Sequence, residues 1–156
     1  MKAEYINPFL SECKNIFMEM AQIDLTLKGT KLKSTPVATK NVVIMVSIIG
    51  DLLGSVAINL DIEFAKKIAS NMMCGMPVEN LDEMSMSALK ELANITMGRV
   101  ATAFSNMGKT IDIAPPTLMV GDNMLLSVTY VPLLSINFGC ENFDMDFDVS
   151  IKENIK

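Results

Sequence analysis

The apolar positions switch between helical and strand periods, and the switches divide the chain into elements. From Asn7 to Gln22, Phe9, Leu10, Cys13, Ile16, Phe17, Met20 and Ala21 recur every three or four residues, which predicts a helix with Pro8 in its first turn. Ile23, Leu25 and Leu27 then alternate with polar residues up to Gly29, predicting a short strand. The basic, turn-prone stretch KGTKLKSTPVATK reads as a loop. VVIMVSII at 42–49 and SVAINL at 55–60 are β-rich and flank a glycine-bounded turn at Asp51, predicting an antiparallel hairpin.

A second helix is predicted from an N-cap at Asp61 to Met73, with Phe64, Ala65, Ile68 and Met72 inward and Gly75 as its stop. Asn80 and Glu83 form a capping-box pattern at the start of a long helix that runs to Met107, before Gly108. Short strands follow: TIDI, TLMV after Pro115-Pro116, MLLSVTYV, LLSINF and FDMDFDVSI. In the last, Phe143, Met145, Phe147, Val149 and Ile151 alternate with Asp144, Asp146 and Asp148, predicting one buried and one wet face. The sum is a single α+β domain over residues 1–156, a mainly antiparallel sheet packed with three helices, one of them long.

Composition narrows the function. A net charge of −5 argues against binding a nucleic-acid backbone. Histidine is absent, which removes the commonest general base, the Ser-His-Asp triad and most zinc sites. Cys13, Cys74 and Cys140 are too few and too scattered for a disulfide framework, and Cys13 and Cys74 read as small core residues. The start MKAEYINPF lacks a signal-peptide core, and no apolar run approaches the ~20 residues of a membrane span. A cytoplasmic protein with no membrane partner is expected. The acidic run ENFDMDFDVS does not fit a calcium loop, since Val149 stands where the loop needs glycine; no metal site is assigned. Pro115-Pro116 reads as a strand edge or crossing without chemistry of its own.

Within the long helix, SALKELANITMG places Ser87, Glu91, Asn94 and Gly98 at offsets of zero, four, seven and eleven. At 100° per residue these four fall within a wedge of about 60°, some ~16 Å long. Leu89, Leu92, Ala93, Thr96, Val100, Ala103 and Met107 gather on the opposite face. The stripe is therefore predicted to face solvent. Glycine in a helix interior costs about 1 kcal/mol relative to alanine, so Gly98 suggests close approach of another backbone. Ile95 and Met97, flanking the wedge, read as exposed apolar contacts for such a visitor. An outward Glu and Asn without histidine make a poor self-contained active site, but a carboxamide can orient a water at a phosphoryl centre that another molecule supplies.

The pattern S-x-x-x-E-x-x-N-x-x-x-G resembles the signature of the CheC/CheX family of chemotaxis phosphatases. GDLLGSVAINLD, NMMCGMPVENLDEMSMSALKELANITMGR and IDIAPPTLMVG are also similar to CheX-type sequence, so the likeness spans Asn7 to about Ile151. The resemblance implies a CheC/CheX-like fold and hydrolysis of the aspartyl phosphate of a CheY-type response regulator. It implies that Asn94 orients the attacking water and Glu91 pairs with the regulator's active-site lysine, as the two catalytic positions. Ser87 and Gly98 would take packing and approach roles. No cofactor is expected on this chain; Mg²⁺ would belong to the regulator.

Glu12 and Asn15 repeat the Glu/Asn spacing in the first helix, but Pro8 and Glu19 stand in its serine and glycine positions. CheC-type members usually carry two motifs and CheX-type members one, so the single intact copy implies a CheX-like protein, typically a homodimer associating partly through β-structure. The alternative is a non-catalytic binding or scaffold module like the middle domain of the flagellar switch protein FliM, which lacks the Glu/Asn motif.

Overall fold

In the computed structural model, which describes residues 1–155, a 3₁₀ turn at Ala3–Tyr5 leads into helix α1 (Ile6–Ala21). Strands β1 (Thr26–Lys33), β2 (Val37–Ala38), β3 (Val42–Gly50) and β4 (Leu52–Leu60) precede helices α2 (Ile62–Met72) and α3 (Glu83–Asn106). β5 (Ile111–Ile113), β6 (Thr117–Val120), β7 (Leu125–Leu126), β8 (Leu133–Cys140) and β9 (Phe143–Glu153) complete the order. The main sheet runs β1-β8-β9-β4-β3-β5, every pairing antiparallel, with β6 also on β3; β2 and β7 pair separately. The expected three-helix α+β architecture is present.

The predicted hairpin is β3–β4, in a register that sets Val42 against Leu60, Val46 against Val56 and Ile48 against Gly54. Gly54 is required there: its φ is +152°, and a Cβ would lie 1.9 Å from the Ser150 carbonyl oxygen on β9. The core lies between the sheet and the helices, where Phe9, Phe17, Phe64, Phe104, Phe138 and Phe147 are fully buried. Phe9 joins the layers, its ring centroid 5.6 Å from Phe104 on α3 and 6.0 Å from Phe147 on β9.

Several local expectations are corrected. The segment read as a loop from Lys28 is mostly strand: β1 is an edge strand paired only to β8, and its residues are exposed up to Leu32. Lysine-rich composition is how an edge resists unwanted pairing, so it mimics a loop. Of MLLSVTYV, only Leu125 and Leu126 form strand; Leu126 joins a small second cluster with Val43 and Ala57. Asp61 stands at the N-cap of α2 without a side-chain cap bond and pairs with Lys40 at 3.8 Å. α3 is capped by Asp82 rather than Asn80: its carboxylate accepts from the Ser85 N–H at 2.9 Å. Cys74 is exposed just past α2, where Gly75, at φ +83°, donates its N–H to the Ser70 carbonyl at 2.8 Å.

The second face of β9 is not uniformly wet. Asp148 is 1% exposed, flanked in register by Ala57 and Ser135. It accepts from Asn59 Nδ2 at 2.7 Å and from Lys33 Nζ at 3.5 Å. Burial pushes its carboxyl above the ordinary carboxylate range, against the pull of the Lys33 ammonium.

β5 and β6 share one edge of β3, and the junction between them bears on the site. Ile113 pairs with Ile48 and Thr117 with Met45, so Ala114, Pro115 and Pro116 oppose only Val46 and Ser47. The extra residue makes a bulge, and the two prolines, which have no N–H to give the ladder, occupy it.

Candidate functional site

α3 contacts α1, α2 and strands β3, β5 and β6, so its buried arc is wide. Leu89, Leu92, Ala93, Thr96, Val100 and Phe104 all face the interior. The Thr96 hydroxyl donates to the Leu92 carbonyl at 2.8 Å, which lets a polar residue sit in the core. Met97 belongs to this arc as well. It is 0% exposed, which corrects its assignment as a docking contact; Ile95 is half-buried against the core. Packing by two flanking helices and the sheet extends the interior past the half-circumference that a helix on a sheet alone would bury. Met107, expected inward, is 41% exposed at the C-cap.

The polar stripe faces outward as its angular position requires. Ser87, Glu91 and Asn94 are exposed and Gly98 is half-exposed. Ser87, Glu91 and Asn94 come together in one groove of about 400 Å³ between α3 and the proline bulge, completed by Lys90, Pro115 and Pro116. Gly98 is not among the residues that line it. Pro115, Pro116 and Lys90 line the groove but are not assigned to the site by the sequence reading. The prolines lie over 20 positions beyond Asn94 and reach the groove only through the β5–β6 crossing, whereas Lys90, four residues before Asn94, is adjacent by helical spacing.

The side chains of Ser87, Lys90, Glu91 and Asn94 form no hydrogen bond or ion pair among the described residues. The helix explains this for the charges. Three and four residues from Glu91 lie Ser87, Ala88, Asn94 and Ile95; from Lys90, Met86, Ser87, Ala93 and Asn94. Neither charge has an opposite one at those spacings. The groove thus presents an acceptor-only carboxylate, a donor–acceptor carboxamide, a hydroxyl and an ammonium, all available to a visitor. Among the described residues, no group of three or more Cys, Asp or Glu side chains is placed to hold a metal ion. No helix among them is long and apolar enough to cross a membrane.

The echo in α1 is built differently. Pro8, matching Ser87, is buried, and Glu19, matching Gly98, is tied to Arg99 of α3 at 3.3 Å. Glu12 is half-buried and Asn15 exposed. The echo therefore lacks both the open flank and the small residue of the α3 stripe.

Known proteins place this arrangement. The profile of the family described as "Chemotaxis phosphatase CheX" matches residues 42–139, which include the whole stripe and the proline bulge. The "CheY-P phosphatase CheX" of Thermotoga maritima is 37% identical over 111 residues, covering 70% of this chain and 72% of that protein. A CheX from Borrelia burgdorferi, solved as a CheX–CheY–BeF3–Mg²⁺ complex, is 27% identical and superposes with a TM-score of 0.82 over 97% of this chain and 100% of that one. A chemotaxis protein CheX from Desulfovibrio desulfuricans shares the fold at a TM-score of 0.87, with 24% identity over 97% of this chain and 99% of that one. By a family profile that covers more than half the sequence and a relative that aligns over most of it, the chain belongs to the CheX family of chemotaxis phosphatases.

Proposed function

We propose that the chain hydrolyses the aspartyl phosphate of a CheY-type response regulator, ending a chemotaxis signal, and that residues 1–156 act as one phosphatase domain. The observation that carries this reading is the unpaired Glu/Asn couple, exposed in a groove on a rigid helix inside the family-matched segment. Docked on the regulator, Asn94 holds a water through its carboxamide, accepting a hydrogen bond and donating one, in line with the P–O bond to the aspartate. The water oxygen bonds to phosphorus, the aspartate carboxylate leaves, and inorganic phosphate is released. Glu91 pairs with the regulator's lysine and fixes the helix in register. Mg²⁺, held by the regulator, supplies charge neutralisation at the phosphoryl group. Ser87 and Gly98 leave room for this approach, and Ile95 supports it from the half-buried flank.

The reading includes a cytoplasmic homodimer that associates partly through β-structure. The test is phosphate release from a phosphorylated CheY-type regulator with wild-type protein and with Asn94→Ala. The variant is expected to fold normally and lose about 10²–10³ in stimulated rate, as when one preorganised polar group is removed from an active site. A wild-type rate from Asn94→Ala would refute the role.

A further inference from the structure

We infer that Lys90 is a docking residue: its ammonium engages the anionic surface of the phosphorylated partner that Asn94 enters. This inference rests on the phosphatase reading above and names the electrostatic element by which the same groove recognises its substrate.

Lys90 stands apart from the other lysines. Lys2, Lys28, Lys33, Lys40, Lys66, Lys67 and Lys109 each reach a carboxylate within the chain, and Lys152 lies over the Tyr130 ring at 4.6 Å. Lys14 and Lys31 are simply exposed. Among the described residues, Lys90 is the one lysine both half-buried and unpaired, and it lines the groove that contains Glu91 and Asn94. A half-buried stem has already given up part of its freedom, so holding its ammonium at a partner costs less ordering than for a fully exposed lysine. The second wall, the Pro115–Pro116 bulge, belongs to a different element and limits the groove on that side.

The partner's chemistry supplies the complement. An acyl phosphate is an anion, and a protein that holds Mg²⁺ beside it does so with oxygen ligands, chiefly carboxylates. This chain carries a net charge of −5, so its overall field opposes approach to such a surface. A cation at the contact reverses the sign locally, within the Debye length of about 8–10 Å. Glu91 and Lys90, neighbours in sequence and about 100° apart around the helix, then read a partner surface that places a cation beside its anions. Like-charge juxtaposition would reject surfaces lacking that pattern.

The role is one of positioning and steering, so it belongs in KM and its salt dependence rather than in the chemical step. The experiment measures phosphate release and, separately, binding to a CheY-type regulator activated with beryllofluoride and Mg²⁺. Wild type, Lys90→Met and Lys90→Arg are compared at low and high salt, with thermal unfolding as the folding control. Lys90→Met is expected to raise KM and Kd about three- to tenfold at low salt, with a shallower salt dependence and little change in kcat. Lys90→Arg restores all three. Unchanged KM, Kd and salt dependence in Lys90→Met, with an active wild type, would overturn the docking role alone. A fall in kcat at constant KM would overturn it by placing Lys90 in the chemical step. A wild type that neither binds nor accelerates hydrolysis would overturn the phosphatase reading and this inference together.

Discussion

Gly98 separates what α3 requires for folding from what the groove requires for contact. The glycine sits in the interior of a 24-residue helix at an ordinary negative φ, and a Cβ added there would meet nothing within 4 Å. No internal packing reason for a glycine is therefore present. Its helical cost relative to alanine is about 0.8–1 kcal/mol. Gly98→Ala should recover that amount, and in a domain of this size 1 kcal/mol corresponds to a rise in Tm of about 2–4 °C. Leucine is nearly as good a helix former as alanine, so Gly98→Leu should also unfold at or above the wild-type temperature.

Function should move the other way. If the regulator's backbone comes close to α3 at this point, the leucine side chain occupies space the partner needs. Overpacking costs about 1–3 kcal/mol at a fitted contact, which is a rise of roughly 5- to 150-fold in KM or Kd. Differential scanning calorimetry gives the first quantity; titration of the beryllofluoride-activated regulator and steady-state phosphate release give the second. Two results would refute the reasoning. A lower Tm in Gly98→Ala would mean that the helix itself needs glycine. Wild-type affinity in Gly98→Leu would mean that nothing approaches the stripe at its C-terminal end.

Glu91→Ala should weaken the complex by about 1.5–3 kcal/mol, the range for a charge-assisted hydrogen bond, while leaving unfolding within about 0.5 kcal/mol, since no partner in the chain is lost; unchanged binding would remove the anchor role. The double variant Glu12→Ala/Asn15→Ala should leave turnover intact, and a halved rate per protomer would reveal a second site in α1. At the end of the sheet, Glu153 accepts from the Tyr5 hydroxyl and pairs with Lys2 at 2.9 Å, and these hold its carboxyl down at about 2 from an ordinary 4.5. Its stabilisation is complete above pH 4.5 and is lost as pH falls towards 2, so Glu153→Gln should flatten the acid limb of the urea midpoint between those values. An unchanged limb would place the acid sensitivity elsewhere.

Features set by one element's own geometry were legible in the sequence; features set by neighbours were not. Ser87, Glu91, Asn94 and Gly98 share a face because helical rise and twist fix it, and the β3–β4 hairpin was legible from its β-rich runs and its glycine-bounded turn. Met97 was misplaced because the width of a buried arc depends on how many elements pack on the helix, which its own period does not encode. Asp148 looked solvated because alternation assigns a face but not its cover; Lys33 and Asn59, from strands distant in sequence, supply that cover. The second wall of the groove was hidden for the same reason. Pro115-Pro116 becomes part of the site only through a one-residue mismatch in the register on β3.

The pairing of charges connects the fold to the site. Away from the groove many of the chain's ions are paired internally: Lys67 with Glu141 at 2.7 Å, Lys66 with Glu63 at 3.2 Å, Arg99 with Glu19 at 3.3 Å. Each such pair is worth only about 0.2–1 kcal/mol to folding, so forgoing one is a small sacrifice in stability. At an interface the balance differs. An internal partner for Glu91 or Lys90 would have to be broken before either could bind another molecule, and its energy would be subtracted from the affinity. Helical spacing denies both residues such a partner, so their full electrostatic attraction remains for the molecule that enters the groove.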